Sequence, residues 1–129
     1  MFHTTIIVGN LGQGPEMRFT PGGQPVTNFP VACNRQYTNS AGQPVKETIW
    51  FRVSIWGKQA ETCNQYLHKG SKVLVEGRLN PDPNTGAPRV WESNGRHGAS
   101  YEIVASQVRF LSPKGVEAIV ETPEEELVY

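Results

Sequence analysis

Trp50, Arg52 and Trp56 stand at spacings of two and four residues in the stretch E-T-I-W-F-R-V-S-I-W-G, Glu47–Gly57. Alternate residues of a strand leave on opposite faces, so these three share one face, while Ile49, Phe51, Val53 and Ile55 share the other. The second face is an apolar row fit for a core. The first ought to be polar, and Thr48, Arg52 and Ser54 comply, yet it also carries two of the three tryptophans in the chain. A flat indole left toward water is a platform for another flat ring, and a guanidinium between two such platforms is a handle for an anion. An unpaired nucleic-acid strand offers both counterparts: free base faces and a phosphate backbone. At ~3.3 Å per residue the two rings would stand about 20 Å apart, a distance that suits separate contacts along one extended strand rather than a shared pocket.

The same residue types recur along the chain. Arg35 and Tyr37 close an alternating segment just before N-S-A-G at 39–42, and Arg78 ends another. Arg89, Trp91 and Arg96 interleave an aromatic with bases again, while Lys58 follows Trp56, and Lys69 and Lys72 flank the turn at Gly70. Most of these have an ordinary reading too. Single lysines are usually solvated charge, and a tryptophan such as Trp91 is as often packing as platform. A protein–protein interface would also account for Trp50 and Trp56. Phe51 falls on the inward row, and Tyr101 and Phe110 are assigned to the core or its edge. His3, His68 and His97 have no partner at metal-ligand or triad spacing and read as surface residues.

Charge supports the polyanion reading. The chain is formally neutral, but residues 117–129 hold five of its twelve acids and none of its twelve bases, leaving +5 on residues 1–116 and −5 on the end. A basic body is the footprint of a polyanion binder, and an acidic end is a common interaction tail. Catalytic patterns are missing: there is no G-x-x-x-x-G-K-[ST], no H-E-x-x-H and no G-x-S-x-G. G-N-L-G-Q-G at 9–14 lacks the lysine and the following helix of a phosphate loop. Asp82 is the lone aspartate, and Cys33 and Cys63 stand far apart without C-x-x-C, so no metal and no cofactor is expected. Both cysteines read as reduced, half-buried thiols of a cytoplasmic protein. No apolar run is long enough to span a membrane, and the start, M-F-H-T-T-I-I-V, reads as a strand rather than a signal peptide.

Positioning these side chains requires a small scaffold of strands. At 129 residues, with 13 glycines and 10 prolines, the chain is one turn-rich domain. Strand patterns fall at Thr4–Val8, Val26–Asn34, Glu47–Trp56, Lys72–Leu79 and Tyr101–Leu111. In Lys72–Leu79 the inward row is Val73, Val75 and Leu79. In the last segment Tyr101, Ile103 and Ala105 are in phase and Val108 and Phe110 are not, which predicts a bulge near Ser106. One helix is predicted, Lys58–His68, with Ala60, Cys63 and Leu67 on its apolar stripe and Lys69-Gly70 as its stop. The stretch 80–100, with Pro81, Pro83 and Pro88, is too long for a tight hairpin and reads as an extended ribbon or loop between strands 4 and 5. Five short strands with one helix between the third and fourth is the order of an OB-fold, a Greek-key barrel whose strands 2 and 3 form a binding face. The expected class is therefore all-β with one short helix.

Several stretches, in order, resemble the bacterial-type single-stranded DNA-binding protein family. They are I-I-V-G-N-L-G-Q-G-P-E-M-R-F-T-P-G-G, P-V-T-N-F-P-V-A-C-N-R, T-I-W-F-R-V-S-I-W-G-K-Q-A-E and Y-L-H-K-G-S-K-V-L-V-E-G-R-L. The likeness runs from about Ile6 to Leu79 and resumes over Tyr101–Leu111. It implies an OB-fold over residues 1–112 that assembles as a homotetramer and wraps single-stranded DNA in replication, recombination and repair, in the cytoplasm with the nucleoid. It places stacking aromatics at Tyr37, Trp50, Trp56 and Trp91, and backbone-contacting bases at Arg35, Arg52, Lys58, Lys69 and Arg78, with Lys72 nearby. An assembly protein of the primosome type, using the same aromatics against a protein, is the alternative.

Three departures from the family pattern stand out. P-D-P-N-T-G-A-P at 81–88 reads as an insertion in place of the usual basic residues before the ribbon tryptophan. Phe51 stands where the family often has a histidine near a subunit contact. The family's long linker is nearly absent from residues 113–129, an expected short acidic tail. Its end, Glu124, Glu125, Glu126, Leu127, Val128 and Tyr129, keeps the family's order of acids followed by apolar residues. It reads as a shortened tip for replication and repair partners, as an acidic end that aids solubility, or as a segment that folds back on the basic face and competes with DNA.

Overall fold

The structure, a computed structural model, describes residues 1–112. The acidic tail expected at 113–129 lies outside the described residues. Seven strands and one helix follow in the order β1 (Thr5–Leu11), β2 (Glu16–Phe19), β3 (Pro25–Thr38), β4 (Pro44–Trp56), α1 (Lys58–Tyr66), β5 (Lys72–Leu79), β6 (Arg89–Ser93) and β7 (Arg96–Phe110).

Five of the strands close a barrel. Hydrogen-bonded neighbours run β1-β5-β7-β4-β3, and β3 returns to β1 through Asn10↔Ala32 and Leu11↔Val31. The β4–β7 seam is parallel, over Phe51–Ser54 and Tyr101–Val104, and the other seams are antiparallel. This is the OB-type barrel expected, with β2 added beyond β3 and β6 beyond β7. The inward rows of β3, β4, β5 and β7 supply the core: Phe29, Val31, Val53, Ile55, Val73, Val75 and Ile103 are fully buried. Each such side chain contributes about 1.5–3 kcal/mol on leaving water.

Helix α1 plugs one end of the barrel with the stripe the sequence predicts, Ala60, Cys63 and Leu67. It ends at Tyr66, short of the predicted His68, because Leu67 turns extended (ψ 148) while its N–H still bonds the Cys63 carbonyl at 3.0 Å. The buried Thr27 hydroxyl donates to the Ala60 carbonyl at 2.7 Å, tying helix to barrel without an orphaned polar group.

The slip in the last strand is real. Glu76 faces Gln107 and Gly77 faces Ala105, so Ser106 is the extra residue of a bulge, and its hydroxyl donates to the Glu76 carbonyl at 3.1 Å. Elsewhere the structure corrects the sequence reading. The short strand β2 escaped it, and the ribbon or loop expected over 80–100 resolves in its second half into a paired hairpin of β6 with β7. Residues 89–100 form that hairpin about Asn94 and Gly95, whose φ values of 52° and 79° are the left-handed pair that a two-residue turn needs. Leu79, predicted inward, is exposed where β5 runs past the end of the barrel. Tyr101 is exposed and Phe51 half-buried, the two rings 5.9 Å apart at the barrel's edge.

Candidate nucleic-acid interface

The β3–β4 pair sets the site's geometry. Its register runs unbroken from Val26↔Trp56 to Thr38↔Pro44, so the alternation of each strand carries across the whole ribbon. Paired residues point to the same side, which places Trp50 beside Ala32, Arg52 beside Pro30, and Trp56 beside Val26 on the outer wall. Trp50 is 53 % exposed and Trp56 38 %, so neither ring is sealed in the core. Arg52 lies between them and is exposed.

The Trp50 ring is not loose. A methyl group built on Gly12 would lie 2.5 and 2.6 Å from the indole carbons Cζ3 and Cη2, so the ring rests on the glycine backbone just after β1. That loop is held in turn by Gly12 N–H donating to the Pro30 carbonyl at 3.0 Å. Trp91 repeats the device on the hairpin: it pairs across from Gly98, where an added Cβ would meet the ring at 2.2 Å. Each ring thus lies against a glycine of the main chain while its residue stays exposed to solvent. Stacking on a seated ring costs little side-chain entropy, which a free-swinging indole would lose on binding.

The wall continues into β7, β5 and β6. Ser54 pairs with Val104, and Val104 with Arg78, so Arg78 lies on the same outer side as Ser54 and Trp56. Arg52 pairs with Glu102, and the hairpin brings Arg89, Trp91 and Arg96 onto the outer side of β7. Arg89 is half-buried with its Nε 3.5 Å from Glu102 Oε1, a spacing too long for a good hydrogen bond. Glu102 therefore sits as an acid between two of the predicted phosphate contacts.

Arg35 and Tyr37 do not join this face. By the same register they leave the ribbon on the opposite side, beyond the inward row of Val31 and Cys33. There Arg35 bonds Glu47 at 3.0 Å and lies 4.5 Å over the Tyr37 ring, so its charge is already engaged. Of the lysines, Lys58 opens α1 directly after Trp56 and Gly57. Lys69 belongs to a turn strapped to the end of β1, where Gly70 N–H donates to the Leu11 carbonyl at 2.8 Å, beside the loop that seats Trp50. Lys72 is half-buried at the start of β5. The sequence reading missed Gly12, Gly98 and Glu102. The glycines are visible there only as turn residues, because what they touch is remote in sequence. Among the described residues no group of three or more His, Cys, Asp or Glu is placed to hold a metal ion, and no helix is long and apolar enough to cross a membrane.

The model of the single-strand binding protein family matches residues 2–111. The chain belongs to that family. Among its relatives, the single-stranded DNA-binding protein of Thermotoga maritima is 38% identical over 125 residues, spanning 96% of this chain and 84% of that one. That of Aquifex aeolicus is 36% identical over 126 residues, 97% and 81% of the two chains. Single-stranded DNA-binding protein 1 of Chlorobaculum tepidum is 38% identical over 111 residues, which are 84% of this chain but 64% of that longer one. Among solved structures, a deletion mutant of the Thermus aquaticus single-stranded DNA-binding protein superposes with a TM-score of 0.67 at 30% identity, over 87% of this chain and 51% of that one. A Plasmodium falciparum single-stranded DNA-binding protein solved with single-stranded DNA superposes with a TM-score of 0.69 over 87% of this chain and 96% of that one; at 21% identity the likeness is one of fold alone.

Proposed function

We propose that this chain binds single-stranded DNA without regard to sequence, coating and protecting it in replication, recombination and repair. One observation carries the reading: Trp50 and Trp56 stand on one outer face with Arg52 between them, each ring open to solvent to a third or more. Bases stack on the indoles, and every base has a face to stack, so the affinity is tolerant of sequence. Arg52, Lys58, Arg78, Arg89, Arg96, Lys69 and Lys72 supply the salt-sensitive attraction to phosphate. Arg35 and Tyr37 serve a strand that turns around the ribbon's edge. The activity is binding without turnover.

Residues 1–112 are the binding domain and 113–129 a short tail. The ending Glu124–Tyr129 is a docking site for replication and repair proteins in the cytoplasm, at the nucleoid. The chain acts as a homotetramer; exposed Ile6, Ile49 and Tyr101 are apolar surface of the kind that subunits cover. Titration with oligo-dT at low salt tests the core of this reading. Stacked bases quench the tryptophan emission, and light scattering of the same mixture gives subunit number and stoichiometry. A folded chain whose emission ignores oligo-dT would leave the aromatic face to a protein partner and end the proposal.

A further inference from the structure

We propose that Asn28 and Asn34 are further contacts to the bound strand, each an amide donor aimed at the edge of a base stacked on the neighbouring indole. The inference rests on the single-strand binding proposed above. Along β4, Thr48-Ile49-Trp50 returns six residues later as Ser54-Ile55-Trp56, and β3 sets Asn34 and Asn28 opposite the two hydroxyls. The outer wall of the ribbon therefore carries the same unit twice: an indole and, two residues along, a hydroxyl–amide pair. At ~3.3 Å per residue the units repeat about 20 Å apart, with Arg52 between them.

Each amide is locked in the same sense. The Thr48 hydroxyl donates to Asn34 Oδ1 at 2.6 Å, and the Ser54 hydroxyl donates to Asn28 Oδ1 at 2.5 Å. With the oxygen engaged, the amide plane is fixed and Nδ2 keeps two protons, for which no acceptor is found among the described residues. The pairs differ only in depth, the Asn34 bond being exposed and the Asn28 bond part-buried.

A donor suits this place. Purines carry N7, guanine adds O6, thymine offers O4 and O2, and cytosine its own O2, so every base accepts an N–H bond somewhere on its edge. A group that only donates can satisfy any base that stacks beside it, and thus adds affinity without reading sequence. Phosphate oxygens accept too, but a short asparagine lies close to the sheet, at the level of a base flat on the indole. The longer Arg52 between the units reaches the backbone.

Asn28→Ala and Asn34→Ala test this, measured on oligo-dT and on an abasic oligonucleotide of equal length across a salt series. Each substitution is expected to weaken oligo-dT binding about three- to fivefold, in line with one neutral hydrogen bond, with an unchanged log–log salt slope and unchanged abasic binding. Ser54→Ala, which frees the Asn28 amide without removing it, is expected to give a smaller loss of the same kind, so the assignment stands even if Asn28→Ala melts early. An equal loss on the abasic strand with a shallower slope would transfer the contact to phosphate and overturn the proposal, as would unaltered oligo-dT binding by Asn34→Ala. Failure of the native chain to bind oligo-dT is a separate result, visible before any variant is made, and it removes the function and this inference together.

Discussion

Gly12→Ala is the sharpest perturbation of the proposed stacking site, because it changes a ring's position without touching the ring. Gly12 has no positive φ, so the backbone itself accepts alanine. The new methyl carbon would stand 2.5 Å from Trp50 Cζ3, whereas carbons rest at about 3.5–4.0 Å, so the indole must withdraw by roughly 1 Å. Stacking a base on such a ring is worth about 1–3 kcal/mol, a figure known from single-strand binders as a class. Unseating the ring should forfeit half of that, ~1 kcal/mol, or about fivefold in the Kd for oligo-dT. Anisotropy of a labelled oligonucleotide reads this independently of the indole emission. Gly12→Ala is then repeated in a Trp50→Ala background, where there is no ring to push. The cost in affinity should vanish there, and the melting temperature should hold or rise, since alanine narrows the unfolded ensemble. An equal loss of affinity with and without Trp50 would refute the seat, and the effect would belong to the loop.

Other expectations follow from the same wall. Arg52→Ala should make the log–log salt dependence of binding shallower by about 0.7, the share of one phosphate on a single strand, as read in a titration from low to moderate salt. Glu102→Gln removes the carboxylate beside Arg89 and Arg52, and should raise affinity for oligo-dT about two- to threefold at low salt, an advantage that fades as salt screens it. Burial pushes the Cys33 and Cys63 thiols up to about 11 from an ordinary 9.0, with a backbone hydrogen bond from Val8 opposing it at Cys33, so neither should be alkylated by iodoacetamide at pH 8 until the chain unfolds. The sign for stability is set by the same shift: the folded chain holds these protons while the unfolded one releases them. Stability should therefore be intact below pH 9 and decline between about pH 9 and 11, visible as a falling melting temperature.

The inward and outward rows of β4 were legible because the barrel has a dry side and a wet side, and a strand must serve both. The bulge at Ser106 was legible for the same reason, since a change of phase has no other economical cause. Strand ends were harder. β3 and β4 run on to Thr38 and back from Pro44 as a ribbon clear of the core, where no burial imposes an apolar period. Pro81, Pro83 and Pro88 left the stretch 80–100 undivided as an extended ribbon or loop, so the strand pairing on either side of the Ser93-Asn94-Gly95 turn signal did not stand out. Trp50 and Trp56 could be placed on one face by counting along their own strand. Whether Arg35 and Tyr37 shared that face depended on the pairing register with β3, which counting along one strand does not reveal. The glycine seats and the hydroxyl–amide pairs belong to contacts between strands, and a linear pattern carries them only as coincidences of spacing.

The parallel seam has a kinetic consequence. The β3–β4 hairpin needs only neighbouring chain and a turn in which the Asn39 side chain accepts from Ala41 and Gln43 N–H at 2.9 Å. Phe51 cannot meet Tyr101 until the helix, β5 and the β6–β7 hairpin lie between them. Loop closure over so long a span is slow, and order of synthesis makes it the last event. Until then a nascent chain displays its ribbon with Val53 and Ile55 uncovered, a sticky strand awaiting its parallel neighbour.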